Sequence, residues 1–240
     1  KIENNGIIAK SRNQGILLAK GDYISFLDSD DWWLPNKLLK SVNQLDAGAD
    51  IVYHDLWSIS SLDKKKKFRK KIPTRKLISP VFQDLLNNSN ALCTSSVVVK
   101  KNTLNIVGYF SEEPLLIAAE DYDLWLRLSR HTENFIRIPE TLGFYWDGGD
   151  NTTSEDNTIT TINYFRKIYS RELSNDDKEF LPAWMSYELG RAYFKKGLMS
   201  KSSFYIRNAI KIDQNFYFNL KAIYTWIIST FMKHKNCFQL

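Results

Sequence analysis

The sequence predicts an α/β sheet domain followed by an α-helical region. Three observations predict it. The first 57 residues run helix, strand, helix, strand. The first of those strands, Tyr23 to Leu27, ends directly in Asp28, Ser29, Asp30 and Asp31, an acidic stretch where strand gives way to loop. Past about residue 158 the strand pattern stops and only helical periodicity remains.

Ile7 to Ala19 reads as a helix stopped at Lys20-Gly21, glycine being the usual residue just past a helix end. Tyr23 to Leu27 carry the aromatic and β-branched residues of a buried strand. Pro35 suits a first helical position, and Lys37 to Ala47 form a helix ended by Gly48. Asp50 to Trp57 is the second strand, and this order implies parallel strands joined by crossovers. The basic run through Lys64, Lys65, Lys66, Lys67, Arg69, Lys70 and Lys71 reads as a solvated loop. Val81 to Leu86 is a short helix, Ser95 to Val99 a strand, and Gly108-Tyr109-Phe110 a turn. Ala118 to Arg130 has a helical apolar stripe through Tyr122, Trp125, Leu126 and Leu128. Phe135 to Ile138 and Leu142 to Trp146 read as two short strands, and Asp147 to Asn157 as a loop rich in Gly, Asn, Thr and Asp.

The expected domains are therefore residues 1–155 and a helical region over 156–240. In the latter, Trp184, Tyr187, Leu189, Gly190, Tyr193, Gly197, Ala209 and Asp213 resemble a helix-turn-helix unit of the tetratricopeptide kind, around 180–213. One such unit needs a neighbour to pack on, and a protein partner is an expected use of this region. Ile223 to Phe231 reads as a core helix, an interfacial helix being the alternative.

The net charge of +6 sits mostly in the basic run, and no zinc-finger or RNA-binding signature accompanies it, so nucleic acid is excluded as the expected partner. Peripheral membrane contact through the basic run is the weaker alternative to a solvated loop. Cys93 and Cys237 have no metal or redox spacing and suggest a reducing, cytoplasmic setting, at most peripheral at the inner membrane face. No stretch reaches the ~20 apolar residues of a membrane span. The chain opens at Lys1 with neither an initiator Met nor a strand before its first helix, so it reads as a piece of a longer protein.

Three carboxylates as close as Asp28, Asp30 and Asp31 repel one another unless something positive neutralises them. A hydrated Mg²⁺ or Mn²⁺ that also binds substrate phosphates would do so; a solvated turn capping the next helix is the plain alternative. The surrounding residues decide between these. Arg12-Asn13-x-Gly15-Ile16, Ala19-x-Gly21-Asp22-Tyr23-Ile24, Phe26-Leu27-Asp28-Ser29-Asp30-Asp31 and Pro35-x-Lys37-Leu38 resemble family 2 glycosyltransferases. A second block does so too: Gly108-Tyr109-Phe110-Ser111-Glu112, then Glu120-Asp121-Tyr122-Asp123-Leu124-Trp125-Leu126. The resemblance covers roughly residues 4–150 and implies the GT-A fold, here a mixed sheet lacking its N-terminal strand and the Asp-Asp-Gly-Ser turn after it.

The resemblance also implies the chemistry: an inverting, metal-dependent transfer of a sugar from a nucleotide-diphosphate donor to a glycan or lipid-linked acceptor, as in polysaccharide biosynthesis. Asp28 and Asp30 correspond to the Asp-x-Asp motif, with Asp30 on Mn²⁺ or Mg²⁺ and Asp28 on ribose or supporting the metal. Asp31 is read as capping the next helix. Asn5, Gly6 and Arg12 fall where such proteins surround the nucleotide; a salt bridge from Arg12 to one of the acids is the alternative. Glu120-Asp121 supplies the catalytic base, Asp121, with Glu120 beside it or on the acceptor; both acids would also favour a helix N-terminus. Cys93 to Ser96 lies where the family lines the acceptor site, which makes Ser95 an acceptor contact. Trp125 either stacks on a sugar or fills the core. The family's Tyr-Arg-x-His is Tyr145-Trp146-Asp147-Gly148 here, so either Asp147 takes part in its place or that contact is absent. The competing function is a degenerate, non-catalytic domain that presents the helical region to partner proteins.

Overall fold

A computed structural model of the chain describes residues 3–60, 70–72, 74–148, 154–175, 178–179 and 181–212, with positions 224 and 227. It divides into two compact units. The first takes in residues 1–85, 90–114 and 119–151; the second takes 86–89, 115–118 and 152–240, so two short pieces fall outside the boundary expected from sequence.

The first unit opens with α1 (Ile8–Leu18), β1 (Tyr23–Ser25), β2 (Trp32–Trp33), α2 (Lys37–Asp46) and β3 (Ile51–Ile59). β4 (Lys70–Ile72), α3 (Val81–Asn88), β5 (Val98–Lys100), α4 (Lys101–Val107), α5 (Glu120–His131) and β6 (Phe135–Trp146) follow. The six strands make one mixed sheet in the order β1-β5-β3-β6-β2, with β4 also on β3. β1 and β3 do run the same way, but they are not neighbours: β5 lies between them, antiparallel to both. Hydrophobic periodicity identifies a strand and says nothing about its partner, which is why the crossover reading missed the insertion.

β3 is the spine. Its whole length pairs in parallel with β6, while β5 takes Ile51 and Val52 and β4 takes Leu56 to Ser58 on its other edge. Both faces of β3 are covered, and Ile51 to Leu56 are buried without a break. The two short strands expected over 135–146 are one strand. Its pairing jumps from His54–Ile138 to Asp55–Thr141, which throws Pro139 and Glu140 out of the ladder. Proline has no N–H to give a ladder, so the sequence reads as a break where the chain makes a bulge.

Leu45, Ala49, Val52, Val98, Ile138 and Leu142 form a core cluster between α2 and the sheet. The expected Ser95–Val99 strand starts later, at Val98, because Thr94–Ser96 is a single 3₁₀ turn. Pro35 precedes the helix cap at Asn36 and is not the first helical residue. The basic run falls mostly outside the described residues; Lys70 and Lys71 belong to β4, not to a loop. Lys71 pairs with the fully buried Asp55, which Arg137 and Thr74 also bind. Burial alone would raise the Asp55 pKa, but these donors hold it down at about 2.

In the second unit α6 (Glu155–Ile168) starts at Ser154, whose hydroxyl accepts from the Asn157 amide, so the loop expected to reach Asn157 ends earlier. Residues 174–175 and 178–179 are a small antiparallel pair, β7 and β8, and the region is therefore not wholly helical. α7 (Ala183–Lys195) and α8 (Met199–Ile212) are two successive helices, turned at Gly197 with φ +75°. Of Ile223 to Phe231 only positions 224 and 227 are described, both helical; Cys237 lies outside the described residues.

Gly190 is what lets α7 and α8 approach. A Cβ there would lie 2.6 Å from the Ile206 side chain and 3.1 Å from the Ile206 backbone nitrogen. Gly190→Ala should cost about 1–3 kcal/mol through overpacking. Urea denaturation would measure it, and adding Ile206→Ala should recover part of the loss.

Candidate functional site

β1 ends at Ser25, and the chain passes through the acidic loop before it returns to the sheet at β2. Within that loop the Asp31 amide donates to the Asp28 carbonyl at 3.1 Å, closing a tight turn. Asp30 is exposed, Asp28 is half-buried, and Asp31 is buried.

Arg12 on α1 joins the two acidic motifs. Its Nη2 donates to Asp28 Oδ1 at 2.7 Å and its Nη1 to Glu120 Oε1 at 2.6 Å. Burial works against the guanidinium charge, but Asp28 and Glu120 outweigh it and the pKa ends above its ordinary value. The next residue, Asn13, fixes the second motif block. Its side-chain amide donates to the Phe110 carbonyl at 2.9 Å and accepts from the Phe110 amide at 3.0 Å. Arg127 on α5 then caps the carbonyls of Val107, Gly108 and Tyr109.

The 3₁₀ turn over Thr94–Ser96 ties the acids together a second time. Asp28 donates its backbone N–H to Ser95 Oγ at 3.1 Å, and Thr94 Oγ1 donates to Asp121 Oδ2 at 2.8 Å. Burial and the neighbouring Glu120 push the Asp121 carboxyl above the usual carboxylate range, although Thr94, Arg12 and the Tyr122 amide pull the other way. Such a carboxylate is a better proton acceptor than an exposed one. Burial likewise raises Asp31, against Ser95 and the Trp146 amide, which donates to Asp31 Oδ1 at 2.9 Å. Cys93, beside the turn, is pushed up to about 12 by burial and then by Asp31 and Asp121, so it is a thiol and not a nucleophile. Burial raises the Tyr145 phenol too, followed by Cys93, Asp31, Asp147 and Asp30, which sets its hydroxyl in the field of these acids.

The structure thus brings together Arg12, Asp28, Glu120 and Asp121. Two expectations, for Ser95 and Asp31, are corrected, and the alternative left open for Trp125 is decided. Ser95 is fully buried with its hydroxyl on the Asp28 amide, so it shapes the loop and cannot meet an acceptor. Trp125 is fully buried against Phe26 and Phe110 and belongs to the core. Asp31 does not cap α2; its carboxylate holds β6 through Trp146. Arg12 makes both ion pairs and not one. Asp147 is exposed and accepts from Ser58 Oγ at 3.1 Å. Asn5 and Gly6 form an exposed left-handed turn before α1 and share no hydrogen bond with the acids among the described residues. Thr94 and Asn13 join the site without a motif of their own; in sequence only the adjacency of Asn13 to Arg12, and of Thr94 to Ser95, points to them.

Among the described residues no three His, Cys, Asp or Glu side chains gather into a site that could hold a metal ion by itself. Asp28 Oδ1 is taken by Arg12, its Oδ2 has no hydrogen-bond partner among the described residues, and Asp30 is exposed. That donor set fits a hydrated Mg²⁺ or Mn²⁺ whose other ligands are phosphate and water, and does not fit a closed protein-only site. Among the described residues no helix is long and apolar enough to cross a membrane.

Residues 1–108 match the model of glycosyl transferase family 2. An uncharacterised glycosyltransferase from Methanocaldococcus jannaschii is 28% identical over 170 residues, 71% of this chain and 55% of the relative. The amylovoran biosynthesis glycosyltransferase AmsB of Erwinia amylovora is 28% identical over 145 residues, 57% of this chain and 46% of that protein. The Escherichia coli protein WfaP, named a UDP-Glc:α-D-GlcNAc-diphosphoundecaprenol β-1,3-glucosyltransferase, is 28% identical over 123 residues, 50% of this chain and 43% of its own. The chain therefore spans about half the length of the curated relatives it matches.

Glu120 is buried, so removing its partner leaves a lone charge. Arg12→Met should destabilise the protein by about 2–4 kcal/mol in urea denaturation. Arg12→Met with Glu120→Gln should restore a large part of that.

Proposed function

We propose, from the match of residues 1–108 to glycosyl transferase family 2, that the chain moves a sugar from a nucleotide-diphosphate donor to a glycan or lipid-linked acceptor, with inversion and with a divalent metal. The observation that carries this reading is the convergence of Asp28 and Glu120 on Arg12, which sets the Asp-x-Asp loop beside the candidate base. The names of AmsB and WfaP, one in polysaccharide biosynthesis and one for a lipid-linked acceptor, support the substrate classes.

In this reading Asp121 takes the proton of the acceptor hydroxyl. The oxygen so freed attacks the anomeric carbon from the face opposite the diphosphate. The carbon–oxygen bond to the diphosphate breaks, its electron pair leaves on the diphosphate, and a single displacement inverts the centre. Thr94 Oγ1 orients the Asp121 carboxylate for this task. Arg12 keeps Asp28 and Glu120 from repelling each other and the incoming phosphates. Mg²⁺ or Mn²⁺, held by Asp30 with Asp28 Oδ2 in support, would supply Lewis-acid stabilisation of the leaving diphosphate. A lipid-linked acceptor would bring the reaction to a membrane surface.

Asp121→Asn in the full-length protein should lower turnover by about 10²–10⁴-fold with little change in donor binding. Asp30→Ala should lose most metal-dependent binding of nucleoside diphosphate, read by calorimetry with and without Mn²⁺; unchanged donor turnover by both variants would sink the assignment in favour of the non-catalytic reading. The base works deprotonated, so activity should rise with pH through the Asp121 pKa. Because that pKa is raised, the acid limb of the profile should lie above the ~3.9 of an ordinary aspartate.

A further inference from the structure

Beneath the acidic loop sits a lysine that the proposed chemistry does not use. Lys37, the first residue of α2, is fully buried. Its Nζ donates to Ser25 Oγ and lies 3.8 Å from the centroid of the Trp33 ring. Ser25 is the last residue of β1 and Trp33 the last of β2, so one ammonium touches both ends of the loop that carries Asp28, Asp30 and Asp31. The contact continues upward. Trp33 Nε1 donates to the Ser95 carbonyl at 2.7 Å, and Ser95 Oγ accepts from the Asp28 amide at 3.1 Å.

We infer that Lys37 is a positioning residue for the donor site: it clamps the two ends of the acidic loop, Ser25 and Trp33, and through Trp33 and Ser95 sets the place of Asp28. This rests on the reading of that loop as the nucleotide-diphosphate site. The cost of the arrangement argues for a use. A buried ammonium gives up its hydration, and the first turn of a helix is the wrong end of the dipole for a cation. Burial pushes the Lys37 pKa down to about 7, and that of the adjoining His54, also buried, down to about 4. An apolar chain of the same length would fill the space without that penalty. What it would not do is attract the face of Trp33, an attraction strongest when the cation is desolvated.

The test compares wild type with Lys37→Met in the full-length protein. Removing a buried charge should leave the thermal midpoint equal or higher. Amides of residues 26–31 should nevertheless exchange about tenfold faster with deuterium, while those of α5 keep their protection. UDP with Mn²⁺ should bind about tenfold more weakly, and turnover should show a raised donor KM with kcat nearly unchanged. Trp33→Phe, which keeps an aromatic face over Lys37 but loses the donor to Ser95, should loosen the same amides and serves if Lys37→Met does not fold. Unchanged exchange at 26–31, or faster exchange spread evenly over α5 and β3, would overturn the clamp. Loosening at 26–31 in a protein whose wild type binds no UDP would uphold the clamp and overturn the donor-site reading instead.

Discussion

One guanidinium between two carboxylates organises the end of this sheet. Glu120 and Asp28 lie far apart in the chain, and without a cation between them their approach would be repulsive. Two like charges ~4 Å apart near a protein surface cost about 4 kcal/mol, so the loop and the head of α5 would be pushed apart. Arg12 turns that repulsion into two charge-assisted hydrogen bonds from a single planar group. Lysine would not serve equally, since it offers one point charge where the geometry asks for a fork. The same helix sets its own register through Asn13, which reads both backbone groups of Phe110. Placing α1 therefore places the acidic loop, the Gly108 turn and the start of α5 at once.

Below the acids the support is apolar. Phe26, Phe110 and Trp125 meet edge-on or tilted, with centroids 5.1–6.4 Å apart, and this aromatic floor excludes water from one side of the site. The consequence is electrostatic. Asp31 and Asp121 lose hydration and are raised, while Asp30, at the rim, stays exposed. Carboxylates that are chemically alike are sorted by their surroundings into a structural one (Asp31), a raised one proposed as proton acceptor (Asp121) and an exposed one (Asp30). This is how one residue type takes several roles in one cleft.

The parts of this arrangement that sequence made legible are those written in local chemistry. The stop at Gly21, the acids after a strand, the Gly108 turn and the acidic start of α5 each follow from what a short stretch can do. What stayed hidden depends on partners. A serine among Cys93 to Ser96 reads as an acceptor contact until the fold turns its hydroxyl onto the Asp28 amide. Asp31 reads as a helix cap because it precedes α2, yet β6 supplies an unpaired N–H that claims it. Trp125 carries the same helical spacing whether it faces sugar or core, and only the presence of Phe26 and Phe110 decides. The position of β5 between β1 and β3 could not be read from period, because period fixes the face of a strand and not its neighbour.

The turn over Thr94–Ser96 adds a constraint of its own. Ser95 holds the Asp28 amide and Thr94 holds the Asp121 carboxylate, so two successive hydroxyls reach the two acidic motifs. Motion of that turn would displace both ends of the site together. The displacement proposed above needs its base and its leaving-group support held at fixed separation, since the two act on opposite faces of one carbon. A shared short turn supplies that separation more firmly than two independent loops would, because the backbone between neighbouring residues cannot stretch. Arg12 sets the charge balance between the two acidic motifs, and the Thr94–Ser95 pair sets their distance; either alone would leave the proposed base and the proposed diphosphate corner free to drift.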